Sequence, residues 1–209
     1  MCVIIVKKQG VLLPTYETLK AAYNKNPHGA GYAAHNKNGF ISYKSMNFND
    51  FYSHFCRNVT TGDDCIIHFR LATHGSQCVN NCHPFVNQDN SLYFAHNGIL
   101  SFSSVNDMTD SQIAFEGILA PAAARFGLRS KTFKEIVNQV IEGSRFAFLD
   151  SQGVLTFGKF EKYKGLYCSN LYFLNRPTLG WYSYRSDDFY GNLFAEHNAA
   201  YKTPKYAGF

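Results

Sequence analysis

A cysteine stands at the second position of the chain, behind Met1 and ahead of the apolar run Val3 to Val6. Removal of Met1 would place its thiol and a free α-amine on one residue. A thiol is weakly ionised at neutral pH and needs a nearby base to act as a nucleophile. A terminal amine, with a pKa of about 7.7 to 8.0, can be that base and can return the proton to a departing nitrogen. The structural alternative is that Cys2 is a small hydrophobe at the start of a buried strand.

Four polar stretches follow Cys2. Taken singly, their residues have ordinary explanations: Arg70 as a surface charge, Asn97-Gly98 as a hairpin turn and Asp110 as a helix cap. Only their combination with Cys2 indicates a chemical function. The stretches are His68 to Ser76, Cys82-His83-Pro84, His96-Asn97-Gly98 and Thr109 to Gln112.

With Cys2, these stretches resemble the class II glutamine amidotransferases, a branch of the N-terminal nucleophile (Ntn) hydrolases. The resemblance implies that Met1 is removed and that Cys2 attacks the side-chain amide of glutamine, releasing ammonia and leaving a γ-glutamyl thioester. It implies no cofactor and no metal. The matching elements occur in the family in the same order and at comparable spacing. They are Cys2 behind Met1, Arg70-Leu71-Ala72-Thr73-His74-Gly75, His83-Pro84, His96-Asn97-Gly98-Ile99 and Asp110 at a helix start.

The resemblance also implies a role for each matched residue. The Asn97 side-chain amide and the Gly98 backbone N–H form the oxyanion hole, in which the loss of one donor typically costs about 10²–10³ in rate. Arg70 binds the α-carboxylate of glutamine, a task that suits a planar bidentate donor, and Asp110 pairs with the α-ammonium. A loop that folds over bound glutamine contributes three further binding residues, Thr73, His74 and His83.

Two residues depart from the family pattern. Val3 follows the nucleophile where the family often has glycine, and Leu71 stands where many relatives carry Trp or Phe. Both changes concern loop closure and the fit of the substrate, and neither concerns the chemistry.

Strands are predicted near both ends of the chain, and helices are grouped between them. This order favours packed antiparallel sheets with helices outside, an α+β layered domain. The resemblance implies the Ntn-hydrolase-like form, a four-layer αββα sandwich. The predicted strands are 2–6, 31–35, 40–43, 65–69, 91–95, 145–149, 154–157 and 166–173. The predicted helices are 15–23, one capped by Asn49, one opened by Asp110 and interrupted by Pro121, and 132–142.

We expect a glutaminase domain over residues 2–175 and an aromatic extension over 176–209 that packs on the domain or docks a partner. The roughly 35 residues after Phe173 are too few for an ammonia-consuming domain. The expected partners are therefore glutamine as substrate and a separate ammonia-accepting synthase subunit. The alternative is a stand-alone Ntn hydrolase that acts on glutamine, a γ-glutamyl compound or another amide.

Composition excludes several other classes of protein. The chain is 45% hydrophobic and 17% charged, which argues against disorder. Its net charge of +5 is scattered rather than clustered, so no nucleic-acid or membrane partner is expected. The first apolar run is too short for a secretory signal, no run is long enough to span a membrane, and the cysteines lack regular spacing. A cytoplasmic protein with reduced thiols is expected.

Three other interpretations remain open at this stage. The pattern His74-x3-Cys78-x3-Cys82-His83 offers zinc ligands, although its spacing fits no common finger. An Ntn amidase for bile-salt or penicillin-like amides would need the nucleophile, but not the amino-acid clamp of Arg70 and Asp110. A non-catalytic module could keep the fold for partner docking alone.

Overall fold

The computed structural model describes residues 2–72, 75–102 and 108–174, so the predicted extension 176–209 lies outside the described residues. None of the helices in these ranges is both long enough and apolar enough to cross a membrane. The strands are β1 (Val3–Lys7), β2 (Ala30–Asn36), β3 (Gly39–Ser45), β4 (Asp64–Phe69), β5 (Phe85–Val86), β6 (Tyr93–Asn97), β7 (Arg145–Asp150), β8 (Gly153–Phe157), β9 (Glu161–Tyr163) and β10 (Leu166–Cys168). The helices are α1 (Tyr16–Lys25), α2 (Phe48–Asn58), α3 (Asp110–Ala114), α4 (Ala120–Phe126) and α5 (Lys131–Val140).

The strands form two antiparallel sheets. The first has six strands in the order β3-β2-β4-β1-β10-β9, and the second has four in the order β5-β6-β7-β8. In the first sheet β1 pairs with β4 on one side and with β10 on the other. The start of the chain therefore runs through the middle of the larger sheet.

Three apolar layers hold the sheets and helices together, which confirms the predicted αββα sandwich. Alternate residues of a strand point to opposite faces, so Ile4 and Val6 face the second sheet while Val3 and Ile5 face helices α1 and α2. Between the sheets lie Ile4, Val6, Ala33 and Ile66 against Tyr93, Ala95, Ala147 and Leu149. On the outer side of the second sheet lie Phe94, Phe146 and Phe148 against Phe115, Leu119, Phe133 and Val137.

The caps of two helices differ from the residues that the sequence suggested, although α3 does begin at Asp110 as predicted. Asn47, and not Asn49, caps α2, because its side chain accepts hydrogen bonds from the N–H groups of Asn49 and Asp50. Thr109 caps α3 by accepting from the Gln112 N–H, which places Asp110 in the first turn. Neighbouring Asn, Asp and Thr residues compete for the cap position, and the sequence does not rank them.

The prediction that Pro121 interrupts the helix is wrong, because the helical path continues through this residue. A π-helical turn, Phe115–Leu119, joins α3 to α4, and the N–H of Ala120 bonds to the carbonyl of Phe115. Pro121 follows in the first turn of α4. A proline cannot donate to the residue four positions earlier, and a π turn is one arrangement that accommodates this break in the α-helical ladder.

The final predicted strand, 166–173, is also too long. β10 ends at Cys168, and a short strand absent from the prediction, β9, precedes it. The next residues, Ser169 and Asn170, leave the ladder, and their side chains bond to the first residues of the chain.

Candidate active site

The register of the larger sheet places Cys2 beside Arg70. Val3 on β1 pairs with Phe69 on β4, so the residue before β1 lies next to the residue after β4. The Sγ atom of Cys2 lies 3.2 Å from the backbone nitrogen of Leu71 and 3.5 Å from its carbonyl oxygen. The nucleophile predicted from the sequence thus contacts the Arg70-Leu71 segment.

The Cys2 thiol is protonated at neutral pH unless a base takes its proton. Burial raises the pKa of Cys2, while the N–H of Leu71 and the charge of Arg70 act in the opposite direction. Because burial is the largest of these effects, the pocket does not generate a thiolate unaided. A buried thiol with a raised pKa therefore needs a neighbouring base to become a nucleophile.

Arg70 is almost fully buried, with 4% of its surface exposed. Its Nη1 donates to the carbonyl oxygen of Ser76 at 2.8 Å, and its backbone N–H donates to the carbonyl of Gly29 at 2.8 Å. Burial of a guanidinium is costly unless hydrogen bonds compensate for it, and these two bonds help to hold Arg70 in place at the cavity that it lines together with Cys2.

Gly98 lies at the end of β6, where no other residue fits. A Cβ atom at this position would lie 2.0 Å from the Oγ and 2.6 Å from the Cβ of Ser144, and 3.0 Å from the Nε2 of His96. The φ angle of +152° is also one that side chains rarely adopt. The glycine therefore keeps the backbone at this point close to its neighbours.

Asn97 does not line the same cavity as Cys2. Its Nδ2 donates to the Oγ of Ser169 at 2.8 Å, and its Oδ1 has no partner among the described residues. It faces a separate polar cavity of about 150 Å³, together with Arg145, Lys159, Glu161, Ser169, Asn170 and Tyr172. Successive residues of β6 point to opposite sides, which separates Asn97 from His96.

Asp110 is part of a hydrogen-bonded chain that ends at His96. Its Oδ2 accepts from the N–H of Leu100 at 2.8 Å, and its Oδ1 accepts from the hydroxyl of Ser111 at 3.0 Å. The Ser111 hydroxyl lies 2.7 Å from the Nδ1 of His96. Because that hydroxyl donates to Asp110, it accepts from His96, which leaves the Nε2 of His96 as an unprotonated acceptor.

Three buried histidines lie together near the cavity. The ring of His83 is 4.4 Å from that of His68 and 6.4 Å from that of His96. Burial lowers the pKa of His68 to about 3 and that of His96 to about 4, and it lowers the pKa of His83 well below the usual range. All three imidazoles are therefore neutral at pH 7.

These histidines predict a loss of stability in mild acid. An unfolded histidine titrates near pH 6.5, so between about pH 6.5 and pH 4 the unfolded chain binds protons that the folded chain does not. The free energy of unfolding should then fall by up to about 1.4 kcal/mol per pH unit for each such histidine, and remain constant in this respect above about pH 6.5. Urea unfolding at about pH 7.5 and about pH 5 tests this, and equal midpoints would contradict it.

One cavity brings together most of the predicted site. Its volume is about 40 Å³, and among its lining residues are Cys2, Arg70, His83, Gly98 and Asp110. These residues come from distant parts of the chain and share no element, so their meeting is a product of the fold. The predicted loop residues Thr73 and His74 lie outside the described residues.

The cavity also contains residues to which the sequence interpretation assigned no role: Asn81, His96, Thr109 and Ser111. Asn81 donates to the carbonyl and the hydroxyl of Ser76, at 3.1 and 3.2 Å, and so supports the same turn that Arg70 contacts. His96 belongs to the matched motif His96-Asn97-Gly98-Ile99, and Ser111 follows the matched residue Asp110. Their membership of these stretches is the sequence signal that could have identified them.

The zinc interpretation gains no support from the described part of the chain. In residues 2–72, 75–102 and 108–174, no three His, Cys, Asp or Glu side chains are placed to hold a metal ion. Cys82 packs near the sulfur of Met46, at 3.9 Å, whereas the ring of His83 lies against His68 and Phe85. The two neighbouring side chains have different surroundings.

Comparison with known proteins identifies the family. The model of the class II glutamine amidotransferases matches residues 42–167, more than half of the 209 residues. This range includes Arg70, His83, Asn97, Gly98 and Asp110, and it begins after Cys2. The chain is 30% identical over 106 residues to the glutamine–fructose-6-phosphate aminotransferase [isomerizing] of Lactiplantibacillus plantarum, an alignment that covers 50% of this chain and 15% of that protein.

Solved structures show the same fold. The glutamine phosphoribosylpyrophosphate amidotransferase of B. subtilis, complexed with ADP and GMP, matches with a TM-score of 0.53 at 17% identity, over 80% of this chain and 41% of that one. A structure described as the allosteric regulatory enzyme of purine biosynthesis matches with the same score, identity and coverage. The chain spans less than half the length of each of these relatives. It belongs to the class II glutamine amidotransferase family.

Proposed function

We propose that residues 2–175 form a glutaminase domain in which Cys2 attacks the side-chain amide of glutamine. The observation that carries this proposal is the shared cavity, in which the thiol of Cys2 lies with a buried cation, Arg70, and a carboxylate, Asp110. A nucleophile placed beside one positive and one negative group suits a substrate that carries both charges on its amino-acid end.

The reaction begins with transfer of the thiol proton to the α-amine of Cys2, which is free once Met1 is removed. Sulfur then bonds to the amide carbon, and the amine returns the proton to the departing nitrogen. The carbon–nitrogen bond breaks, ammonia leaves, and a γ-glutamyl thioester remains. Water attacks the thioester to release glutamate and restore the thiol. The thiol must be reduced, which fits a cytoplasmic location.

Negative charge develops on the amide oxygen during attack. The backbone N–H of Gly98, which lines the cavity with Cys2, is the first proposed donor to this oxygen. The second is the N–H of Asn97 that is not bonded to Ser169, which must reach the oxygen from the neighbouring cavity that Asn97 lines. In this proposal Arg70 binds the α-carboxylate and Asp110 binds the α-ammonium of glutamine, and Thr73, His74 and His83 contribute further contacts to the substrate.

The released ammonia is proposed to serve a synthase on a separate partner. Two of the relatives are named for the transfer of a glutamine-derived amino group, one to fructose 6-phosphate and one in an amidotransferase reaction with phosphoribosylpyrophosphate. A stand-alone hydrolase of a γ-glutamyl or other amide is the alternative. Comparing the hydrolysis of glutamine with that of a γ-glutamyl compound and a simple acyl amide distinguishes the two.

The proposal is tested by mass spectrometry and an ammonia assay. The intact mass of the purified chain should lack Met1, and a diazoketone analogue of glutamine should add once, at Cys2. Free glutamine should protect Cys2 and yield ammonia and glutamate in equal amounts. A chain that retains Met1, or an adduct on another cysteine, would refute the mechanism.

Replacing Arg70 with lysine should weaken substrate binding more than it slows the chemistry. A lysine offers one point charge in place of a bidentate donor, and a hydrogen bond to a charged group contributes about 1.5–3 kcal/mol. We expect KM for glutamine to rise about 10- to 100-fold, while kcat changes by less than about threefold.

Arg57→Lys is the matched control for this variant. Arg57 lies on α2 and donates only to Ser53 of the same helix among the contacts of the described residues. Steady-state kinetics of both variants should separate a binding effect from the loss of an arginine in general. An unchanged KM in Arg70→Lys would remove Arg70 from the substrate clamp.

A further inference from the structure

The segment directly after β10 joins the nucleophile to Asn97 by side-chain hydrogen bonds. The Oγ of Ser169 accepts from the backbone N–H of Ile4 at 2.9 Å and from the Nδ2 of Asn97 at 2.8 Å. The Nδ2 of Asn170 donates to the carbonyl oxygen of Cys2 at 2.8 Å. Ser169 is 2% exposed and Asn170 7% exposed, so these bonds are shielded from water.

Ser169 determines the orientation of the Asn97 amide. The terminal torsion of asparagine is broad and has no strong preference of its own, and the Oδ1 of Asn97 has no partner in the described part of the chain. The bond to Ser169 is thus the contact that fixes the plane of this amide. One N–H is used in that bond, and its direction fixes where the second N–H points.

Asn170 acts on the nucleophile itself. Cys2 lies just outside β1, so its carbonyl oxygen is not part of the regular ladder between the strands. The side chain of Asn170 supplies the hydrogen-bond donor for this carbonyl oxygen in place of a strand N–H. Ser169 reinforces the same attachment, because its own N–H donates to the carbonyl of Ile4 at 2.9 Å.

We propose that Ser169 and Asn170 are positioning residues that hold Cys2 and Asn97 in one fixed frame, Ser169 through the Asn97 amide and Asn170 through the Cys2 backbone. This inference rests on the proposed glutaminase function. Neither residue is among those that line the cavity with Cys2, so in this proposal both act through their neighbours. Displacing a reacting group by about 1 Å can cost about 100-fold in rate.

The first test is Ser169→Ala, measured by glutamine hydrolysis. We expect kcat to fall about 10- to 100-fold, less than or similar to the loss of an oxyanion donor, with KM within about threefold of wild type. Ser42→Ala, an exposed serine on the edge strand β3, is the control and should leave both constants unchanged. Because Ser169→Ala also leaves the N–H of Ile4 without its partner, Ser169→Cys is a second variant that keeps the volume while replacing oxygen with a weak acceptor.

A double-mutant cycle separates positioning from a general structural role. In an Asn97→Ala background, Ser169→Ala should cause a smaller further loss of kcat than in the wild type, because the amide it orients is gone and only its bond to the N–H of Ile4 is still lost. Asn170→Ala should still lower kcat in that background, since it acts on Cys2. Urea midpoints of all variants report their stability separately.

Each outcome bears on the inference. If the wild type hydrolyses glutamine and folded Ser169→Ala or Ser169→Cys has an unchanged kcat, the inference is overturned and the proposed function stays intact. The same holds if Ser169→Ala lowers kcat equally in the presence and in the absence of the Asn97 side chain. A wild-type chain that lacks Met1 and does not hydrolyse glutamine would overturn both.

Discussion

Cys2→Ala is expected to abolish glutamine hydrolysis and to give a chain that still folds. Removing a catalytic nucleophile typically costs about 10⁴-fold or more in kcat, whereas the alanine removes only one sulfur at the edge of a small cavity. Ammonia release from glutamine should fall below detection, and the diazoketone adduct should disappear from the intact mass. Equal activity in Cys2→Ala would refute the assignment of the nucleophile.

Cys78→Ala provides the matched control. A hydrogen bond from the Ser76 hydroxyl lowers the pKa of Cys78, which makes it the competing reactive thiol in the neighbourhood of Arg70. Its replacement should leave glutamine hydrolysis unchanged and simplify the adduct pattern. Loss of hydrolysis in Cys78→Ala with retention in Cys2→Ala would transfer the nucleophilic role to Cys78.

Gly98→Ala should also inactivate the enzyme, for a steric reason. Its Cβ would lie 2.0 Å from the Oγ of Ser144, and Ser144 is only 3% exposed and so has little room to move. Overpacking of this kind typically costs about 1–3 kcal/mol or more in the free energy of unfolding. The shift of the backbone would displace the proposed oxyanion donor, and we expect kcat to fall at least about 100-fold. Kinetics and urea unfolding of the variant measure the two effects.

A second substitution tests this explanation directly. Ser144→Gly removes both atoms within 2.6 Å of the new Cβ and leaves the Nε2 of His96 at 3.0 Å. The double variant Gly98→Ala/Ser144→Gly should therefore be more stable than Gly98→Ala and regain part of the activity. Gly117→Ala is the control, because a Cβ at Gly117 meets nothing within 4 Å. If the double variant is no better than the single one, the clash with Ser144 is not the cause.

The sequence predicted which residues meet around Cys2 better than it predicted how they are arranged. Arg70, His83, Gly98 and Asp110 do line one cavity with Cys2, as the family motifs implied. Asn97 faces a different cavity, and the sequence interpretation treated His96-Asn97-Gly98 as one motif without applying strand alternation to it. The alternation of side chains along a strand would have placed His96 and Asn97 on opposite faces of the sheet. It would not have shown which of the two residues faces Cys2.

Contacts between distant segments were beyond sequence reasoning. Ser169 and Asn170 reach Cys2, Ile4 and Asn97 only because β10 pairs with β1, more than 150 residues earlier. No local pattern in Cys168-Ser169-Asn170 indicates this pairing. The cap of α2 was missed for a local reason, since propensities leave helix boundaries uncertain by one or two residues.

The central place of β1 has a consequence for how the enzyme fails. With β4 on one side and β10 on the other, the strand behind Cys2 has no free edge, and the ammonium of the buried Lys7 at its far end donates to the carbonyls of Thr61 and Asp63. Amide protons of such a strand typically exchange with solvent through global opening of the fold. Since β1 is the strand that carries Cys2, we expect hydrolytic activity to be lost over the same temperature range as the cooperative unfolding of the sandwich.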